Sequence, residues 1–162
     1  MADSSLALAT SSTHWLSHER LKVYPRIFVA VYLVAAVVWI LLAVNLIDPK
    51  GKPLGYDFIT FWAASWLSLA GEPAAAFDMG RILAAEQIAI PSNEAVFLWH
   101  YPPMFQLAIL PLALLPYLWS YGAAMATTMA AFLAVVRRLA PWREAMWLAL
   151  AFPGTFINLF HG

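Results

Sequence analysis

The stretch 27–47, IFVAVYLVAAVVWILLAVNLI, contains no charged side chain. At 1.5 Å rise per residue, a helix of that length reaches about 31 Å, the thickness of a bilayer's hydrocarbon core. Such a run has few folded options, because in hydrocarbon every backbone N–H and C=O must be paired within the segment. The rest of the chain is similar in kind. Hydrophobic residues make up 63% and charged residues 11% of the 162, against usual shares of about 45–50% and about 25%. Nine Lys+Arg and nine Asp+Glu cannot cover the surface of a water-soluble fold of this size. A soluble globular domain is excluded on that ground, and a disordered chain by the apolar content. Zero net charge without a basic patch argues against a nucleic-acid partner. The chain has no Cys, which excludes disulfides, zinc thiolates and Cys nucleophiles. The fold class that remains is an all-α integral membrane protein.

Residues 1–26 form a polar leader, with Asp3 and Glu19 against Arg20, Lys22 and Arg26. It is too long and too polar for the start of a signal peptide. It reads as a cytoplasmic tail, mostly disordered or interfacial, and its basic trio puts the N-terminal end of the first span in the cytoplasm. Past 27–47 the chain turns at Asp48-Pro49-Lys50-Gly51-Lys52-Pro53. The segment 48–101 then carries three bases (Lys50, Lys52, Arg81) against six acids (Asp48, Asp57, Glu72, Asp78, Glu86, Glu94), which suits an external face. Within it, Phe58, Phe61, Trp62, Trp66 and Leu69 recur at helical spacing. That pattern predicts a short helix along the membrane surface, stopped at Gly71. A second short helix is expected over Met79–Ala89 with Asp78 as its N-cap. Three prolines (Pro91, Pro102, Pro103) make the following segment irregular or extended.

Residues 95–136 contain no Asp, Glu, Lys or Arg. They divide at Pro116 into apolar segments 102–116 and 117–136, the second rich in small residues suited to close helix packing. Two short spans joined near Pro116 are expected first. One crossing plus a re-entrant piece would better obey the positive-inside tendency, because Arg137-Arg138 ends the second segment. A third apolar segment, 142–160, is interrupted at Pro153-Gly154 and leads to His161-Gly162. An ending inside an apolar stretch is expected of a piece of a longer chain.

Among residues that carry chemistry, Asp57 comes first. An acid opening a helix is read as an N-cap. The same carboxylate at the membrane–water interface is also placed to take a proton from a sugar hydroxyl as a general base. His100 and Tyr101 precede Pro102-Pro103. Tyr101 fits an interfacial anchor, and His100 fits a partner for a phosphate or carboxylate. Arg81 is the one cation in 53–100. It fits a solvated pair or a fork on a phosphate. Asn158 and His161, in an apolar stretch, fit interhelical hydrogen bonds or a functional site at membrane depth. No phosphate-binding glycine loop, HExxH or GxSxG occurs. No acid stands near Asp57 in the manner of a metal pair, so neither a metal nor a cofactor is expected.

The order of these features resembles the N-terminal part of family-87 glycosyltransferases of the GT-C superfamily. The matching elements are the first span, Asp57-Phe58 opening Asp-Phe-x-x-Phe-Trp-x-Ala, and Gly71-Glu72-Pro73 with Ala76-Phe77-Asp78. Tyr101-Pro102-Pro103, LALLPYLWSY at 112–121, and Phe152-Pro153 with Asn158-Leu159 and His161-Gly162 follow. The resemblance runs over 27–162. It implies GT-C-like transmembrane helices with an external first loop carrying short interfacial helices. It also implies a lipid-linked donor (polyprenyl-phosphate hexose, mannose first), a glycan or lipid acceptor, and Asp57 as the base. The expected location is a bacterial plasma membrane, multi-pass, with the N-terminus inside. GT-C enzymes have more helices than these 162 residues hold, so the chain alone is expected to be inactive. A non-catalytic membrane subunit and a transporter fragment are the alternatives.

Overall fold

The computed structural model describes residues 18–161. Helix α1 runs His18–Leu42, α2 Tyr56–Leu69, α3 Met79–Ala89, α4 Pro103–Ile109, α5 Tyr117–Leu139, α6 Arg143–Ala151 and α7 Pro153–His161. Short 3-10 turns, Pro73–Phe77 and Leu110–Leu114, lie between α2 and α3 and after α4. Two helices are long and apolar enough to cross a membrane, over Glu19–Leu42 and Tyr117–Leu139, and only 6% of the apolar window of each is buried. Their apolar surfaces are therefore uncovered by the rest of the chain, the arrangement that hydrocarbon or further helices tolerate and water does not.

The first helix begins earlier and ends earlier than its apolar run. Residues 18–26, read as part of a tail, form its opening turns, and residues 1–17 lie outside the described part. It stops at Leu42 because the last apolar residues fold into a tight turn. Ile47 pairs with Val44 and with Pro53, and Asn45 and Leu46 take positive φ of 52° and 65°. The Asp48 carboxylate locks the return, accepting the N–H groups of Lys50 at 2.8 Å and Lys52 at 2.9 Å.

Helix α2 departs most from expectation. Instead of lying with one face open, it is the core: Phe58, Ile59, Trp62, Ala63, Ala64 and Leu67 are all buried. One side packs on α3, α4 and Trp99, the other on Tyr117 and Ile90. Its polar residues serve this packing. Ser65 donates to the Leu110 carbonyl at 2.9 Å and accepts the Ala113 N–H at 3.1 Å. Trp62 donates its indole N–H to Leu115 O at 3.0 Å. Both contacts satisfy backbone groups where the 3-10 turn after α4 breaks regular helix pairing. Ser65→Ala removes both hydrogen bonds from a buried site and is expected to cost about 2 kcal/mol, read as a lower SDS midpoint of unfolding. A change within experimental error would show that water replaces the hydroxyl.

Several sequence-level signals are realised. Gly71 stops α2 with φ 84°, and the N–H groups of Gly71 and Glu72 return to Ser68 O and Leu67 O, the Schellman pattern. The Asp78 side chain caps α3 by accepting the Arg81 N–H at 2.9 Å. Segment 90–102 is an irregular strap, and Pro103 sits in the first turn of α4, where a missing N–H costs nothing. The apolar helix Pro103–Leu114 is about 20 Å long by helical rise, too short to span. The described part of 102–136 thus has one helix of spanning length rather than two. Segment 142–160 is two short helices broken at Phe152.

Helices α1 and α5 run in opposite directions. Tyr117, at the start of α5, donates to Leu54 O at 2.6 Å just beyond the end of α1. At the opposite end, Arg26 of α1 lies over Trp147 of α6, the helix that follows α5. Arg20, Lys22 and Arg26 therefore share one end with Arg137 and Arg138, and the α2–α3 tier occupies the other. Helix α7 climbs back along α1, with Phe156 on Tyr32 and Phe160 against Trp39, and delivers His161 to the α2 end.

Candidate functional site

Asp57 sits in the first turn of α2 but does not cap it. The N-cap is Gly55, in the left-handed region at φ 67° and ψ 45°. Helix entry through Gly55 starts the helix one residue before Asp57 and turns the carboxylate outward. It is exposed and has no hydrogen-bond or ion-pair partner among the described residues. A first-turn acid still gains from the helix dipole, but the capping reading is overturned.

Asp57 opens onto a cavity of about 470 Å³ whose other walls include Thr60, Phe61, Phe97, His100 and Tyr101. Three of the residues picked from sequence, Asp57, His100 and Tyr101, therefore meet here. The first comes from α2 and the other two from the strap. Phe61 and Tyr101 pack at 5.0 Å between ring centres, and Tyr101 keeps 42% of its surface exposed. Thr60 lies one turn along from Asp57 on the same wall. Its hydroxyl, on a residue 7% exposed, has no hydrogen-bond partner among the described residues. A buried hydroxyl without a partner is uncommon.

His161 reaches the same end of the molecule by another route. Its Nδ1 shares a 2.9 Å hydrogen bond with the Tyr56 hydroxyl. Burial, then the neighbouring Asp57 and Asp48 carboxylates, hold the Tyr56 phenol above its ordinary pKa, so it remains a protonated donor. Tyr56 is shared with a second cavity of about 150 Å³, bounded also by Lys50, Lys52, His161 and Asp48, whose carboxylate is turned onto the Lys50 and Lys52 backbone N–H groups. Lys52 Nζ stands 4.2 Å over the Tyr56 ring, and Lys50 Nζ 5.5 Å over Trp39, contacts that hold two ammonium groups beside this cavity. Phe160 is in turn shared with an apolar groove of about 500 Å³ between α1, α5 and α7. An apolar groove, a cationic cavity and an acidic cavity thus adjoin in a row.

Arg81 and Asn158 lie elsewhere. Arg81 is ion-paired with Glu72, past the far end of α2, about 20 Å from Asp57 by helical rise. The paired-charge reading holds for it in this structure. Asn158 lines a separate cavity between α5 and α7, without a hydrogen-bond partner among the described residues. The cations near Asp57 are instead Lys50 and Lys52, which sequence reading assigned only to a turn. No local pattern pointed to them; the tight turn through Asp48 folds them over α2.

Glu86 was also missed. On α3 it is fully buried, 0% exposed, and accepts from Asn93 Nδ2 at 3.2 Å and from the Phe97 N–H at 3.2 and 3.3 Å. Burial pushes its carboxyl up to about 7, against the lowering effect of those hydrogen bonds. A signal was present: Ile82, Ala85, Glu86 and Ala89 recur at helical spacing, which puts an acid on the apolar face. Among the described residues no three His, Cys, Asp or Glu side chains cluster as metal ligands.

Residues 99–162 match the family model of glycosyltransferase family 87. The match spans α4 to α7 and the end of the strap. It carries His100, Tyr101, Asn158 and His161, while Asp57, Lys50 and Lys52 precede it. This is the family that the order of motifs in the sequence resembles. No curated protein and no solved structure matches the chain.

Proposed function

We propose that the protein acts in a membrane glycosyltransferase that moves a hexose, mannose in this reading, from a polyprenyl-phosphate donor to an extracytoplasmic glycan or lipid acceptor. The observation that carries this reading is the row of three adjoining spaces. A lipid-phosphate sugar has an apolar tail, a phosphate and a sugar in that order. The groove between α1, α5 and α7 suits the tail, the Lys50–Lys52–His161 cavity suits the phosphate, and the Asp57 cavity suits the sugar and the incoming hydroxyl.

The chemistry then follows from charge. The acceptor oxygen attacks the anomeric carbon while Asp57 removes its proton. The bond from that carbon to the phosphate oxygen breaks, and the lipid phosphate leaves with the electron pair. Negative charge grows on the phosphate as the bond breaks, where two ammonium groups and a histidine stabilise it. Direct displacement inverts the anomeric centre. The Phe61–Tyr101 rings offer the sugar a stacking face. The shared basic end of α1 and α5 supports a cytoplasmic N-terminus, with the α2–α3 tier outside, in a bacterial plasma membrane.

Donor binding tests the reading without requiring turnover. A photoreactive polyprenyl-phosphate mannose is expected to label the protein in vesicles and to be displaced by unlabelled donor. The double variant K50Q/K52Q is expected to weaken labelling about tenfold, a modest figure because both amines are exposed. Labelling that the double variant leaves intact, or that unlabelled donor does not displace, would refute the phosphate assignment.

A further inference from the structure

Tyr56 is shared by the two polar cavities: it lines both the Lys50–Lys52–His161 cavity and the Asp57 cavity. A donor laid across them, phosphate in the first and sugar in the second, has its scissile bond beside this side chain. The ring is held on several sides. Lys52 Nζ lies 4.2 Å over it, and Phe97 and His161 pack against it at 5.8 Å and 4.7 Å between ring centres. His161 is held as well, because α7 is anchored just before it. Phe160 lies on Trp39 at 6.0 Å, and Leu159 O accepts the Tyr121 hydroxyl at 2.7 Å. Among the described residues the imidazole makes one hydrogen bond, between Nδ1 and the Tyr56 hydroxyl at 2.9 Å. Nε2 has no hydrogen-bond partner among them, and Lys50 and Lys52 bound the same cavity.

We propose that Tyr56 is a positioning residue for His161: its hydroxyl donates to Nδ1, fixes the imidazole as the Nε2–H tautomer, and so makes His161 a hydrogen-bond donor to the leaving lipid phosphate. A neutral imidazole has one N–H and one bare nitrogen, and the bond made by one nitrogen decides the state of the other. A phenol donates its proton to a hydrogen bond more readily than its oxygen accepts one, because the oxygen lone pair is drawn into the ring. Tyr56 keeps that proton, since burial and then the Asp57 and Asp48 carboxylates oppose a phenolate. Nδ1 is therefore the acceptor, and Nε2 carries the hydrogen. An N–H donor beside the phosphate gains most as negative charge grows there. The same tautomer leaves the bare nitrogen engaged by Tyr56, so His161 is no rival to Asp57 as a base. The role toward phosphate rests on the proposed transferase reading; the tautomer does not, and the experiments separate the two.

The tautomer is read by nitrogen NMR on the full chain carrying isotope-labelled histidine, in phosphatidylcholine nanodiscs at about pH 8, above the ordinary imidazole titration. H161Q assigns the signal. Nδ1 of His161 is expected at the downfield position of a bare ring nitrogen, and Nε2 at the upfield position of an N–H. Y56F removes only the hydroxyl and is expected to relax both shifts toward those of free histidine. A protonated Nδ1 in the unsubstituted chain, or shifts that Y56F leaves unchanged, overturns the proposal.

Adding polyprenyl phosphate is expected to move the Nε2 signal, while polyprenol, which lacks the phosphate, leaves it in place. No movement overturns the phosphate role, and equal movement with inorganic phosphate at the same concentration overturns its lipid source. Labelling by the photoreactive donor in vesicles tests the coupling of the two residues. Y56F is expected to weaken labelling about fivefold in the parent, the worth of one hydrogen bond, and at most about twofold in H161Q, whose amide N–H needs no tautomer. Equal losses in both backgrounds overturn the coupling. If unlabelled donor fails to displace the label, the transferase reading falls while the tautomer measurement still decides its own part. If Y56F does not fold, the shifts of the unsubstituted chain, with and without polyprenyl phosphate, decide alone.

Discussion

Asp57→Asn is expected to lower sugar transfer by about 10³-fold, the middle of the range for losing a general base. The side chain keeps its size and hydrogen-bonding oxygen but no longer accepts a proton from the acceptor. Little else should change. The carboxylate is exposed and makes no contact that holds the fold; removing its charge from the first turn of α2 costs at most about 1 kcal/mol of dipole interaction. Donor labelling is expected to survive, because the cavity proposed for the phosphate is bounded by Lys50 and Lys52 and not by Asp57. Transfer from a radiolabelled polyprenyl-phosphate mannose is measured in membranes at matched amounts of folded protein. A variant as active as the parent would remove Asp57 from the chemistry and favour a non-catalytic subunit, in which this acid has no chemical role.

The second large effect is on stability. Gly55→Ala is expected to lower the unfolding free energy by about 3 kcal/mol, combining left-handed backbone strain with overpacking. A Cβ at Gly55 would stand 2.9 Å from two ring atoms of Tyr121 and 3.1 Å from the Tyr117 hydroxyl. The Tyr121 ring has no easy retreat, since it lies against Phe58 at 5.3 Å and its hydroxyl is bonded to Leu159 O at 2.7 Å. Gly71→Ala supplies the comparison. Its φ of 84° is as left-handed, but nothing lies within 4 Å of the added carbon, so only the backbone strain of about 1 kcal/mol remains. Equal losses for the two, read as SDS midpoints, would show that backbone strain alone matters at Gly55. Because Gly55 also sets where α2 begins, its variant is expected to impair activity beyond its loss of folded protein.

Much of the architecture was legible locally. Asp78 before Met79–Ala89, Gly71 after α2, Pro103 at the head of α4 and Pro116 before α5 each act through their own backbone geometry or side-chain reach. Such signals depend on a few neighbouring residues, so sequence suffices to read them. The errors share the opposite character. Asp57 looked like a cap because an acid heading a helix usually is one; Gly55 took the position because the turn through Asp48 arrives in the left-handed region. The aromatic face of α2 looked interfacial because periodicity reports that a face is apolar, not what covers it. Here α3, α4, the strap and Tyr117 cover it.

By itself the sequence determined the composition of a membrane chain, the first long apolar helix, the short helices after it and the acid that opens α2. Each of these depends on hydrophobicity, helical period or a single residue's conformational preference, quantities that belong to a segment. Only the tertiary structure decided which groups share a cavity. Asp57 meets His100 and Tyr101 because the strap is pinned to Glu86 forty-odd residues of chain away from the first span. His161 meets Tyr56, 105 positions earlier, because α7 returns along α1. Lys50 and Lys52 replace Arg81 as the nearby cations because a tight turn folds them over aromatic rings while Glu72 holds Arg81 at the far end of α2. Sites are made by contacts distant in sequence, and no periodicity within a segment encodes which distant partner it will meet.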